Sequence, residues 1–205
     1  MILIGICGFQ GVGKDTFANY LVSNYNFIKY SFASATKDVL TVIFGWDRAL
    51  LEGDTIESRK FREIPDLWWS DKLGIPNLTP RKVLQMVGTE LFRKNFNDQI
   101  WIFIVEKKIL SNSNSNIIIS DCRFPNEIDL IKKLGGKLIH IHRNRPEWFD
   151  KYKSGIDCEE AVSLHLSDTA WIREQFDFEL ANCSKSKELF EYEIFNFIKN
   201  NFNGL

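Results

Sequence analysis

"GFQGVGKDT", residues Gly8 to Thr16, is the stretch that decides the fold. A phosphate-binding loop of the Walker type asks for Gly, four residues, Gly, Lys, then Ser or Thr. Gly8, Gly13 and Lys14 fit, but Asp15 follows, and the hydroxyl arrives one place late at Thr16. The flanks are those the motif requires. "ILIGIC" (Ile2–Cys7) is an apolar run stopped by glycine and reads as a buried strand. Phe17, Leu21, Val22 and Tyr25 recur at helical spacing after the loop.

Gly8, Gly11 and Gly13 let such a loop turn tightly and aim N–H groups inward, and a helix starting near Lys14 adds its positive dipole end. Lys14 is expected to reach the β- and γ-phosphates of a nucleotide. Gly11, Val12, Gly13, Lys14, Asp15 and Thr16 are the expected ATP-binding residues. Asp15 poses a problem, because a carboxylate repels polyphosphate unless a cation lies between them. It is an oxygen donor suited to Mg²⁺. Either it contacts the metal through water, or it is a first-turn carboxylate favoured by the helix dipole while Thr16 takes the metal. A glycine-rich turn unrelated to nucleotides is the alternative, and the strand–loop–helix context argues against it.

Working outward, Ile28, Tyr30 and Phe32 alternate with Lys29 and Ser31 and suggest a second strand, followed by a helix from about Thr36 to Phe44. Residues Gly45 to Leu78 have three tryptophans, two prolines and no clean period, and read as an irregular insertion. Thr79-Pro80 starts a helix expected to run to about Asn95. Another helix is expected near Asp98–Leu110. "NIIISD" (Asn116–Asp121) is a second buried strand, followed by a helix ending at Gly135-Gly136, and "KLIHIH" (Lys137–His142) is a third. Arg143 to Trp171 is polar and mixed, and a lid is expected there. "FDFELAN" gives a last strand, and a helix follows from about Lys185 to Asn200. Alternating strands and helices predict an α/β fold with a mostly parallel sheet and ligands at the carboxyl ends of its strands.

The chain has 205 residues, enough for one domain with a real core. Its net charge of −1 gives no global attraction to nucleic acid or an anionic membrane, so neither is expected as a partner. Cys7, Cys122, Cys158 and Cys183 are scattered, which suggests reduced thiols in a cytosol-like compartment. The apolar run before Gly8 is too short for a signal-peptide core or a membrane span. "SNSNSN" at Ser111–Asn116 reads as a solvated loop.

Four pieces in register then resemble the deoxynucleoside monophosphate kinases of phages and viruses. They are the GKDT ending at Gly13–Thr16, Lys37-Asp38, "RKVLQMVGTELFRKNF" (Arg81–Phe96) with Trp101 downstream, and "SDCRFPNE" (Ser120–Glu127). "HLSD" at His165–Asp168 is a weaker echo, and Gly45–Leu78 matches poorly. The resemblance implies a P-loop NTPase three-layer sandwich, with helices on both faces of the sheet, as a single kinase domain over residues 1–205. It also implies ATP- and Mg²⁺-dependent phosphorylation of a deoxynucleoside monophosphate. The implied setting is cytoplasmic, in the host if the source is viral, and a homodimer is left open.

Phosphoryl transfer between two anions needs arginines more than a base. Arg123 and Asp121 end one expected strand and Arg143 the next; with Lys14 they are the catalytic candidates. Arg145 sits in the expected lid. Asp121 has the position of an acid closing an apolar strand, suited to orienting metal-bound water or an arginine, or to capping the next helix. Glu127 lies four residues past Arg123, positioned to hold that arginine or accept from the substrate. Arg81, Gln85, Gly88 and Phe92 share a face at helical spacing, and Gly88 suggests a close approach by a nucleotide or by another helix. The acceptor-binding set is Lys37, Arg59, Arg81, Gln85, Gly88, Thr89, Trp101, Asp121, Arg123 and Glu127. Trp101 is either a base-stacking ring or a core residue. Asn182 and Ser184 lie in the loop that the resemblance puts by adenine. His140, His142 and His165 form no zinc pattern. Two other readings compete: a kinase with a different acceptor, of dephospho-coenzyme A or phosphomevalonate type, and a nucleotide-binding module without transfer.

Overall fold

A computed structural model describes residues Met1–Phe202 and Leu205. In chain order the elements are β1 (Leu3–Cys7), α1 (Lys14–Tyr25), β2 (Phe27–Tyr30), α2 (Ser34–Phe44), α3 (Ile56–Glu63), α4 (Leu67–Leu73) and α5 (Pro80–Gln85). A π-helix (Met86–Lys94) follows, then α6 (Ile100–Ser111), β3 (Asn116–Ile119), α7 (Pro125–Lys133) and β4 (Lys137–His142). The chain ends with α8 (Phe149–Lys153), α9 (Glu159–Val162), α10 (Leu166–Thr169), β5 (Phe178–Ala181) and α11 (Lys187–Asn201). These divide into two compact units, one of Met1–Phe32 with Val105–Leu205, the other of Ala33–Ile104.

The first unit is built on a sheet of order β2-β3-β1-β4-β5 in which every pairing is parallel. Its central strand β1 is buried at all five residues, which is why it reads as a continuous apolar run rather than an alternation. Helices α1 and α11 cover one face: Phe17, Ala18 and Leu21 meet Phe190, Ile194 and Ile198 over Ile4, Ile6, Ile118, Ile139 and Ile141. Each such apolar side chain contributes about 1.5–3 kcal/mol on burial. Val22, expected on that stripe, is exposed instead. On the other face a Cβ added at Gly5 would meet Leu138 Cδ2 at 3.0 Å and Ile131 Cγ1 at 3.1 Å, so α7 packs down hard there. The result is the expected three-layer α/β sandwich.

The stretch expected as a lid forms α8, α9 and α10. Phe149 and Trp171 from it are fully buried, with ring centroids 6.0 and 5.2 Å from that of Phe9.

The second unit corrects two expectations. Gly45–Leu78 is not irregular but holds α3 and α4, each with a side-chain cap, from Thr55 and Asp66. Its aromatics supply a core of their own. Trp46 stacks on Phe44 at 4.4 Å and donates its indole N–H to Asp66 Oδ2 at 2.8 Å. Leu40, Leu51, Leu78 and Val83 close that core. The helix after Thr79 starts as expected, with Thr79 Oγ1 accepting from the Lys82 N–H and Pro80 in the first turn. It does not continue as an α-helix to Asn95, because the backbone widens to a π-helix at Met86.

Candidate active site

The phosphate loop connects β1 to α1. Gly13 is the residue before α1 and has φ 107°, in the left-handed region. A Cβ there would lie 2.6 Å from Phe190 Cε1 and 2.8 Å from Asn182 Nδ2, so conformation and space both require glycine. Gly8, at φ 146°, has the carbonyl oxygen of Ile141 2.2 Å from where a Cβ would sit. Lys14 folds back over the loop and donates to the carbonyl oxygens of Gly8 (2.8 Å) and Phe9 (2.7 Å). Burial, with the Arg123 guanidinium nearby, lowers its pKa to about 8, against the opposing pull of Asp15. Lys14 is therefore a desolvated cation inside the glycine-rich loop.

Asp15 turns away from Lys14's partners. Its Oδ1 accepts from Lys29 Nζ and from Ser120 Oγ, each at 2.9 Å. Burial would raise its pKa, but the Lys29 ammonium, with both hydrogen bonds, brings it below the usual carboxylate value. Neither Lys29 nor Ser120 was singled out in the sequence as a site residue. Lys29 had a signal, as the lone cation alternating out of the strand that follows α1.

At the carboxyl end of β3, Asp121 accepts from Ser31 Oγ (2.6 Å) and from the Phe32 N–H (3.0 Å), tying the end of β2 to that of β3. It does not cap the next helix: the residue before α7 is Phe124. Glu127 does that work. It is buried, and its Oε2 accepts from the backbone N–H groups of Arg123 (2.7 Å) and Phe124 (3.1 Å), which fixes the turn that presents Arg123. The Arg123 guanidinium is held loosely. Nη1 reaches Asp168 Oδ1 at 3.3 Å and Ser167 Oγ at 3.4 Å, and the side chain is 39% exposed. The His165–Asp168 echo thus meets Arg123 directly.

Arg143 is held tightly. It donates from Nε to the Asn182 carbonyl (3.1 Å) and from Nη2 to Asn182 Oδ1 (3.0 Å) and the Ser184 carbonyl (2.7 Å). Asn182, only 4% exposed, passes the restraint on by donating to the Val12 carbonyl at 2.8 Å. In this geometry Arg143 and Asn182 brace the phosphate loop against the loop after β5. Arg145 instead pairs with Glu179 and lies over the Phe149 ring at 5.2 Å.

In the second unit, Lys37 is buried and donates to Glu52 Oε2 at 2.5 Å. Burial would raise the pKa of Glu52, but Lys37 and Arg48 lower it. Arg59 Nη1 reaches the Asp54 carbonyl at 3.4 Å, and Arg81 pairs with Glu63. Gln85 is partly exposed and Thr89 buried. The shared face of Arg81, Gln85, Gly88 and Phe92 does not follow from a 3.6-residue period, because the π-helix interrupts it. Nor is there a tight approach at Gly88: a Cβ would meet Thr36 Cγ2 at 3.6 Å, an ordinary contact. Trp101 is a core residue, 4% exposed, 5.0 Å from Phe92 between ring centroids, and its indole N–H donates to the Gly88 carbonyl at 2.9 Å.

Among the described residues, no group of three or more His, Cys, Asp or Glu side chains is placed to hold a metal ion. Asp15 and Thr16 are the oxygen donors beside the loop that could hold a divalent metal.

A parallel sheet with this loop after its first strand and cations at the strand ends defines a P-loop kinase of small molecules. The same fold is found in the dephospho-coenzyme A kinase of Campylobacter jejuni (TM-score 0.51, 17% identity, covering 97% of this chain and 96% of that one). It is also found in the shikimate kinase of Aquifex aeolicus (TM-score 0.50, 16% identity, covering both chains fully). The family model for deoxynucleotide monophosphate kinase matches residues 51–168. A putative deoxynucleotide monophosphate kinase of Acanthamoeba polyphaga mimivirus is 34% identical over 178 residues, covering 81% of this chain and 86% of the relative. The deoxynucleoside-5′-monophosphate kinase of Escherichia phage T5 is 28% identical over 182 residues, covering 64% and 72%. The chain belongs to the deoxynucleotide monophosphate kinase family.

Proposed function

We propose that this protein transfers the γ-phosphoryl group of ATP to a deoxynucleoside 5′-monophosphate, giving the diphosphate and ADP. The observation that carries this reading is that Lys14, folded over the glycine-rich loop, and Arg123, presented past the end of β3, both stand at the carboxyl end of the sheet, near enough for the Arg123 guanidinium to disfavour the Lys14 charge. Two like charges are held together at a cost that an anionic ligand offsets. In the transfer, an oxygen of the acceptor phosphate attacks the γ-phosphorus and the bond to the β–γ bridging oxygen breaks. The acceptor is already anionic, so no general base is needed. Lys14 holds the β- and γ-phosphates, and Arg123 takes up charge on the moving group or the acceptor. Thr16, with Asp15 beside it, would hold a Mg²⁺ that accompanies the nucleotide, which would supply charge neutralisation to the polyphosphate. Asp121 fixes the floor of the site, and Glu127 orients the Arg123 backbone. Arg143 and Asn182 act by bracing the loop. Arg81, Gln85, Gly88 and Thr89 are assigned to the acceptor by family resemblance, with Lys37 and Arg59 beside them.

The variants Lys14→Ala and Arg123→Ala test these roles. Lys14→Ala is expected to lower kcat/KM by at least about a hundredfold with an unchanged circular dichroism spectrum. Arg123→Ala is expected to reduce kcat or raise the acceptor KM while leaving the ATP KM within a few-fold. Near-normal kcat/KM in either variant contradicts its role. We place the protein in the cytoplasm, that of the host for a viral source; no helix among the described residues is long and apolar enough to cross a membrane.

A further inference from the structure

Asp15, standing where a Walker loop has Ser or Thr, puts a negative charge next to the lysine that faces the polyphosphate. Here that charge is tied down from outside the loop. Lys29, in β2, places Nζ 2.9 Å from Asp15 Oδ1 and 3.1 Å from Asn19 Oδ1, one turn further along α1. Ser120, just past β3, donates to the same Asp15 oxygen from the other side at 2.9 Å. The parallel register pairs Lys29 with Ile118, two residues before Ser120, so the sheet itself sets the two donors around one carboxylate. Asp15 is half exposed, and free of these restraints its side chain would be able to swing toward the Lys14 ammonium.

We propose that Lys29 is a positioning residue for the phosphate loop: it neutralises Asp15 and holds it against Ser120, so that the Lys14 charge remains available to the nucleotide. This rests on the proposed kinase reading. With Lys29 in place, Lys14 and the loop N–H groups face the polyphosphate, and the Asp15–Lys29 pair is close to neutral from the ligand's side. Without it, the carboxylate cancels Lys14. The effect is electrostatic and strongest when no metal screens it.

The test is calorimetric titration of ADP in metal-free buffer, with EDTA, at low and high salt. Lys29→Met is expected to weaken ADP binding about tenfold at low salt, with a smaller loss at high salt. Lys29→Arg, which keeps the charge, is expected to stay within about threefold of the unaltered protein. The double variant Asp15→Asn with Lys29→Met is expected to recover most of the loss, because the charge that Lys29 balanced is gone. Unchanged ADP binding in Lys29→Met overturns the proposal. So does a loss that the double variant fails to recover, which would mean that Lys29 acts on the phosphates by its own charge. If the unaltered protein binds no ADP with or without Mg²⁺, both this proposal and the kinase reading fall. Binding by the unaltered protein together with an indifferent Lys29→Met sinks this proposal alone.

Discussion

At the scale of single residues, the loop lysine is the most revealing group. Lys14 has a pKa of about 8 because burial and Arg123 disfavour its charge. A bound polyphosphate favours that charge, so above this pH binding must take up a proton. ADP affinity is therefore expected to fall by roughly tenfold or more between about pH 7 and about pH 9.5, as read by calorimetry; a flat profile contradicts the assignment. The folding linkage has the matching sign. Between about pH 8 and pH 10.5 the unfolded chain binds more protons, so Lys14's contribution to stability improves as pH rises through that window. The places of Lys14 in the loop and of Arg123 past β3 were legible in the sequence because their motifs are contiguous. Asp15's true partners were not, since Lys29 and Ser120 reach it only once β2 and β3 pair. Arg143 was placed by its position after β4, but its partners Asn182 and Ser184 were not legible, since only the fold brings the loop after β5 to its guanidinium.

At the scale of elements, strands announced themselves and the helices between Gly45 and Leu78 did not. Buried parallel strands are short unbroken apolar runs, so β1, β3 and β4 were visible directly. Helices α3 and α4 were hidden because Ile56, Ile64, Leu67 and Trp68 are exposed, which scrambles the helical period. The π-helix was invisible for another reason: side-chain periodicity does not report a widened backbone, whose Gly88 carbonyl accepts from the distant Trp101 indole. Trp101→Phe keeps most of the ring and removes that donor. It is expected to cost about 1–3 kcal/mol, read as a lower unfolding midpoint in urea, and a midpoint unchanged from the parent contradicts a structural part for the bond. Glu127→Gln, which weakens the two backbone bonds that hold the Arg123 turn, is expected to cost about 1 kcal/mol and to lower kcat. A drop in stability with kcat intact would separate the turn from the chemistry.

At the scale of the whole molecule, the first unit contains an acid-sensitive fastening. His140 is fully buried, stacked on Phe149 at 5.5 Å, and within 3.5–3.6 Å of Arg145 and Glu179. Burial first, and Arg145 second, lower its pKa to about 4. A depressed histidine leaves the unfolded chain binding more protons below the ordinary value of 6.5, so stability is full above that pH and falls toward pH 4. Glu179 adds to the trend at lower pH: burial opposes, but Arg145 and Lys153 bring its pKa to about 2. The expected result is a loss on the order of 2 kcal/mol between pH 7 and pH 5 in urea titrations, flattened in His140→Phe; equal slopes in both proteins contradict it. Phosphoryl transfer is tested most directly by product analysis with ATP and Mg²⁺ against all common deoxy- and ribonucleoside monophosphates and a coenzyme A precursor. The expected result is one deoxynucleoside diphosphate formed for each ADP released with at least one deoxynucleoside monophosphate. Turnover of the coenzyme A precursor alone, or tight ATP binding with no transfer to any monophosphate, would contradict it.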